Sequence, residues 1–417
     1  MKALEKPFAS QIWKQFTGCL GSMPVAERLV MLLWLAGPFV FLVERSPADI
    51  WLVLMDCCFI VRCIHRRDWH WLGQGWVRGV LGFFFAVAIA NLFSPLVFMA
   101  QGELLLWMRF PLFAAASVFW LGRNPVMLRA MLVMIGLAML LLAGGLSAEI
   151  IANPGKLRLE GFYGDLVPGG YFAKSALPLV ALLALLAMEK PLPLGFVAGT
   201  AAFAAFVFCL LTGERMNSGM IGLAILLAAL TARFAWPRLL FFGVLGLAGL
   251  MLMLTQLPAT TTIFLEATSS TLGNYFDGIY WASVRPGVIS FLENPLTGIG
   301  SGMHRHLCPS IAQLPSVLPG SNDCHPHPHQ FYVQLAGEAG LIGLIGGIVM
   351  IGLLIRHCLA GRRSVSPLAR AVWVVPVVMF MPKSNADFFG QWNNLFLWFG
   401  LGLAMAMATE QAADSRS

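Results

Sequence analysis

Apolar runs of about 18 to 22 residues, the length at which a helix crosses hydrocarbon, recur along nearly the whole chain. Hydrocarbon offers no partner to a backbone amide, so each run must satisfy its own N–H and C=O groups, and the helix is the unit that does so. Only 11% of the 417 residues are charged, against about 25% in an ordinary soluble domain. The expected fold class is an all-α polytopic membrane protein. Twelve transmembrane segments can be placed, near 26–43, 48–64, 77–98, 103–121, 125–146, 170–188, 193–211, 217–235, 238–256, 329–355, 367–382 and 389–408.

An even number of crossings puts both termini on one side. Assigning that side to the cytoplasm places Lys and Arg about two to one inside, as the positive-inside bias requires. The net charge of +7 is then a signature of topology, not of nucleic-acid binding. Residues 1–25 carry Lys2, Lys6 and Lys14, with Leu4, Phe8, Ile12, Phe16 and Leu20 four apart, and read either as a basic amphipathic helix on the cytoplasmic leaflet or as a floppy start, not as a signal peptide. Three parts follow: 1–256 with the interfacial helix and nine crossings, an outer loop at 257–328, and 329–417 with three more crossings and a cytoplasmic tail.

Nearly all informative polar residues fall on the outer side. The large loop carries helical stretches near 262–272 and 278–293, and its aromatic residues Phe264, Tyr275, Phe276, Tyr280, Trp281 and Phe291 argue for order. Cys308 and Cys324 bracket its polar part. On a periplasmic face a disulfide between them is chemically allowed, whereas Cys57, Cys58, Cys63 and Cys209 sit in apolar runs and read as small core residues.

Arg215 stands between two apolar runs. A guanidinium so close to hydrocarbon either pairs with an acid, Glu214 being nearest, or awaits an anionic ligand. Arg285 lies in a loop helix beside Pro286, where a surface role remains open. Arg158, alternatively a solvated loop charge, and Lys174, inside an apolar run, extend the same outer set. Several converging cations suit a pyrophosphate, whose charged oxygens match guanidinium forks. No P-loop or dinucleotide fingerprint occurs.

Histidines 304, 306, 325, 327 and 329 raise the question of a metal. The prolines between 325, 327 and 329 are expected to hold the backbone extended and throw the rings apart, so no metal site is expected. His329, at the mouth of the tenth segment, is the candidate general base: a neutral imidazole takes a proton from a hydroxyl near neutral pH. Glu338 is expected to pair with a cation elsewhere in the bundle. Gly340, Gly343, Gly346 and Gly347 read as a helix-packing face.

These residues resemble the O-antigen ligase and polymerase superfamily. His329-Gln330, nine residues, then Gly340-Leu341-Ile342-Gly343 is similar to the ligase signature. The flank from Cys324 through His325-Pro326-His327-Pro328-His329-Gln330-Phe331-Tyr332, the element Asn294-Pro295-Leu296-Thr297-Gly298-Ile299-Gly300, and Phe388-Phe389-Gly390-Gln391-Trp392-Asn393-Asn394 resemble further family elements. Gln330 departs from the commoner Asn, and Leu344 stands where some ligases carry Ser or Thr.

The resemblance implies a membrane glycosyltransferase of GT-C type, metal-independent, cofactor-free and inverting. It would move a glycan from undecaprenyl pyrophosphate to a hydroxyl of lipid A–core at the periplasmic face of the bacterial inner membrane. It implies that Arg215 and Arg285 hold the donor pyrophosphate and that His329 serves the acceptor hydroxyl. Arg158, Lys174, His327, Gln330 and Tyr332 are the further substrate-binding candidates. A polymerase using a second lipid-linked glycan as acceptor is the alternative within the family, and a transporter of lipid-linked sugars the alternative outside it.

Overall fold

The computed structural model describes residues 8–154, 156, 158–163, 168–232, 236–256, 262, 268–269, 275–314, 318, 320–382 and 387–409. All regular elements among them are helical. We number the main ones α1 (Phe8–Gly21), α2 (Val25–Val40), α3 (Arg45–Arg66), α4 (Gly75–Asn91), α5 (Val97–Trp107), α6 (Arg109–Phe119), α7 (Pro125–Ala152), α8 (Leu177–Glu189), α9 (Leu192–Leu211), α10 (Arg215–Thr231), α11 (Trp236–Gln256), α12 (Ile279–Glu293), α13 (His304–Ile311), α14 (Phe331–Ala360), α15 (Pro367–Ala371), α16 (Val374–Met379) and α17 (Gln391–Thr409). The helix expected near 262–272 lies largely outside the described residues, as do Lys2, Lys6 and Lys383.

Each of the twelve expected segments coincides with a helix or a broken helix. Four are long and apolar enough to cross a bilayer: Val97–Arg123, Pro125–Ala152, Leu192–Leu211 and Phe331–Arg363. Pro168–Ser175 with Leu177–Glu189 makes a fifth if the pair, bent by 61°, counts as one span. The chain is an integral membrane protein by this measure. The bend follows a π-helical turn at Tyr171–Ser175 and precedes Pro178, which cannot donate back into the preceding turn.

The core is aromatic. Trp34 meets Trp51 edge-on at 5.8 Å and Phe113 at 5.2 Å, and Trp107 stacks on Phe388 at 5.6 Å, which joins α2, α3, α5, α6 and the approach to α17. Glycines allow the closest crossings. A Cβ on Gly337 would lie 2.6 Å from the Gly287 carbonyl oxygen, so α12 and α14 touch backbone to backbone.

The tenth segment is not one regular helix. At Gly340 the backbone turns to φ 63°, ψ −165°, which breaks α14 and strips carbonyls and amides of their helical partners. The 294–300 element replaces them. Ile299 N–H donates to Gly337 O at 3.1 Å and Gly300 N–H to Glu338 O at 2.8 Å, while Leu341 N–H donates to Pro295 O at 2.8 Å and Ile342 N–H to Leu296 O at 3.3 Å. Two separated motifs are therefore halves of one backbone clamp. The expected glycine packing face is corrected at one position: Gly340 is a break in the chain, whereas Gly343, Gly346 and Gly347 face α4 at Val87 and Phe83.

Candidate functional site

α12 positions both loop-side arginines. Arg215, first residue of α10, donates through Nη2 to the Tyr280 hydroxyl at 2.7 Å and through Nη1 to Thr268 Oγ1 at 3.0 Å. Its guanidinium also lies 5.6 Å from the Tyr280 ring centre. The expected partner Glu214 is engaged elsewhere, accepting from Gly169 N–H at 2.7 Å and from the Asn217 amide. Arg285 is buried on the same helix, about 7.5 Å further along the axis. It donates to Asn322 Oδ1 at 2.6 Å and to Leu318 O at 2.9 and 3.2 Å.

Proline makes that second contact possible. Pro286 has no N–H, and an intact helix would direct the amide at that position to Ala282 O. Asp323 N–H takes the carbonyl instead at 3.0 Å, which holds the 318–324 stretch against α12. Cys308 and Cys324 are bonded, S–S 2.14 Å, and tie the same stretch to α13.

The histidine segment packs on the next turn of α12. A Cβ on Gly287 would lie 2.8 Å from Pro328 Cγ and 2.8 Å from Val333 Cγ1. The prolines do not spread the rings. His325 and His327 lie 4.9 and 4.4 Å from His329 between ring centres, because His329 adopts φ 54° and curls the chain. A non-glycine residue there is strained and persists only where its surroundings hold it. Among the described residues, no three or more His, Cys, Asp or Glu side chains are arranged to hold a metal ion.

Gln330 and Tyr332 have structural partners. Gln330 caps α14, its side-chain oxygen accepting from Val333 N–H at 2.7 Å, a task the commoner Asn performs equally well. Tyr332 donates to Phe380 O. His327 Nδ1 faces Asp387 Oδ2 at 3.5 Å. Burial lowers the His327 pKa, with Asp387 opposing.

Asp387 is the member the sequence did not single out, and His304, weighed there only as a metal ligand, joins it. Asp387 Oδ1 accepts from Gln334 Nε2 at 2.9 Å and from Gly390 N–H at 2.8 Å. Among the described residues Glu338 pairs with no cation, contrary to expectation. It accepts from Gly302 N–H at 3.0 Å, His304 N–H at 2.9 Å and Gln334 Nε2 at 3.1 Å. The His304 ring is 1% exposed, and neither nitrogen has a hydrogen-bond partner among the described residues. Burial pushes its pKa down to about 4, and the three loop histidines add to the effect. Gln330, Gln334 and Glu338, spaced four apart on an apolar helix, were the signal: such a stripe requires polar partners.

Lys174 and Arg158 belong to a different neighbourhood. Lys174 is buried in the π-helical turn near Asn217, and Arg158 is exposed. Both act on Glu214, whose carboxyl burial pushes up to about 7 while they pull it back. Arg215 follows Glu214 directly, so the two neighbourhoods adjoin.

Residues 200–348 match the family model described as O-antigen ligase. Over that stretch the chain is similar to the O-antigen ligase/polymerase superfamily. No curated protein matches it. The ligase-family match contains Arg215, Arg285, the 308–324 bridge, the histidine segment and the whole clamp at Gly340. Asp387 lies beyond it.

Proposed function

We propose that the chain is an O-antigen ligase of GT-C type, which carries polysaccharide from undecaprenyl pyrophosphate to a sugar hydroxyl of lipid A–core. The observation that carries this reading is α12 itself. One helix holds Arg215 through Tyr280, bears Arg285 five residues later, and packs at Gly287 against the segment ending in His329. Two guanidinium forks and an imidazole are thereby tied to one short rigid element.

In the proposed reaction the acceptor hydroxyl gives its proton to His329 while its oxygen attacks the anomeric carbon. The glycosidic C–O bond to phosphate breaks, and its electron pair leaves with the pyrophosphate. Arg215 and Arg285 stabilise that developing charge, a role a preorganised guanidinium performs without a metal ion. Attack opposite the leaving group inverts the anomeric centre. His327, backed by Asp387, orients His329, and Lys174 and Arg158 extend the cationic field on the donor side.

The donor's lipid tail also has a place. An apolar cavity of about 280 Å³, lined by residues including Ala184, Phe203, Ile225 and Phe242, lies between α8, α9, α10 and α11. α9 ends and α10 begins at the turn that carries Arg215. We place both termini in the cytoplasm, this turn and the 257–328 loop on the periplasmic face, and twelve helices or broken helices across the inner membrane.

A polymerase would share this machinery and differ only in its acceptor. Reconstitution with lipid-linked glycan and two acceptors, lipid A–core and a second lipid-linked glycan, separates the readings by product. Transfer to lipid A–core, unaffected by chelator and abolished in His329→Ala, is expected. Undiminished transfer in that variant would remove His329 as the base, and glycan movement across the membrane without any transfer would identify a transporter.

A further inference from the structure

A second cationic pocket, of about 260 Å³, lies beside the histidine cluster and is built by other helices. It adjoins the cluster at two points. Arg305 lines it while its neighbour His304 sits with the histidines, and Phe389 and Gln391 line it just beyond Asp387. Its other arginines are Arg45, at the start of α3, and Arg109, at the start of α6.

Among the described residues one of these three cations is ion-paired, Arg109 with Asp49 at 2.8 Å. Asp49 spends both oxygens within the wall, accepting from Arg109 Nε at 2.8 Å and from the Gln391 amide. Arg109 is further fixed over the Phe110 ring at 4.4 Å. Arg45 donates at 2.8 Å to Gln391 Oε1, a neutral amide, and has no ion pair among the described residues. Arg305 is exposed and has no hydrogen bond or ion pair among the described residues. Glu103 is the one remaining acid in the lining.

The lip is apolar. Val53 and Leu106 are 39% and 60% exposed at the edge of the pocket, on helix faces turned to the outside of the bundle. Free phosphate would gain nothing from such a lip. A headgroup phosphate with acyl chains attached would satisfy both halves, forks on the anion and Val53 and Leu106 against the chains.

We propose that this pocket binds the phosphorylated headgroup of a membrane glycolipid entering laterally past α3 and α5, and that this glycolipid is the acceptor. The assignment rests on the ligase reading above. It gives the two substrates separate anion sites, the donor's at Arg215 and Arg285 and the acceptor's at Arg45 and Arg305, with Arg109 fixing the wall through Asp49. Phosphate on the acceptor then becomes a determinant of acceptor choice.

Equilibrium binding to the full-length protein in detergent tests the pocket with three probes: lipid A–core, the same glycolipid after phosphatase treatment, and phosphatidylglycerol. Phosphorylated lipid A–core should bind at least about ten-fold more tightly than the other two. The double variant Arg45→Gln with Arg305→Gln should erase that preference and raise the acceptor KM about ten-fold with kcat retained, and the double Lys variant should recover part of it. Equal binding of the dephosphorylated glycolipid, displacement by phosphatidylglycerol at equal affinity, or an undiminished preference in the Gln variant would overturn the proposal. Arg215→Ala should lose transfer and keep this binding. Arginine-dependent binding by a wild-type protein that transfers nothing to lipid A–core would leave the pocket standing and remove the ligase reading.

Discussion

The Nη2 of Arg215 donates to the hydroxyl of Tyr280 at 2.7 Å, and the same guanidinium lies over the Tyr280 ring. The first residue of α10 is thereby aimed by a side chain from α12. Tyr280→Phe removes the hydroxyl and keeps the ring. Losing one such bond costs about 1 kcal/mol, so transfer should fall about five-fold while the midpoint of thermal unfolding falls by no more than about 2 °C. Unchanged turnover in the purified variant would dissociate Tyr280 from Arg215 function.

Arg215→Lys and Arg285→Lys separate charge from fork. Arg285 spreads its donors over Asn322 and Leu318, and an ammonium cannot span both. Each lysine variant should retain partial transfer, and each alanine variant should lose it almost completely. Full turnover in either lysine variant would remove the bidentate argument.

The bridge between Cys308 and Cys324 encloses Asn322, the acceptor for Arg285. Closing a loop of about 15 residues is worth about 3 kcal/mol in the chain-entropy model. Peptide mapping without reductant should recover the two cysteines as one linked pair. Reductant, or Cys324→Ser, should lower transfer by loosening the 318–324 stretch, and the six other cysteines replaced by Ala should not.

His304 gives the loop an acid-sensitive point. Burial lowers its pKa from 6.5 to about 4, so the folded state favours the neutral ring. Its contribution is fully present above pH 6.5. As pH falls toward about 4 the unfolded chain takes up a proton that the fold refuses, and stability declines. Melting curves across that range should show the decline, and His304→Gln should flatten it.

Gly340→Ala tests the clamp. Positive φ with ψ near 180° is a conformation open essentially to glycine and costs other residues about 1 to 3 kcal/mol, and the new methyl would press on the backbone of Leu296 and Thr297. The variant should lose about 2 to 4 kcal/mol of stability, read as a lower midpoint of thermal unfolding. A wild-type midpoint would mean that the break tolerates a side chain.

Helix positions were legible because apolarity over about 20 residues is a local property: the expected 193–211 segment is Leu192–Leu211, and the loop helix expected at 278–293 is Ile279–Glu293. The His329 segment was legible as a motif. What the sequence hid was non-local or conformational. Nothing local to His325-Pro326-His327-Pro328-His329 announces a positive φ at a histidine, so extended backbone was the default and the gathered rings were missed. Asp387 lies 58 residues from His329 and reaches its neighbourhood through His327, which it faces at 3.5 Å. The glycines at 298 and 340 were visible, but spacing could not tell a packing face from a break whose amides and carbonyls are completed by another loop.

That completion has a consequence for engineering and for descent. The 294–300 element and the glycine at 340 supply each other's missing backbone partners, so neither can be exchanged alone. A chimera that grafts the outer loop of one relative onto the membrane bundle of another must transplant both stretches as one cassette, or it inherits a helix with an open seam beneath the histidines.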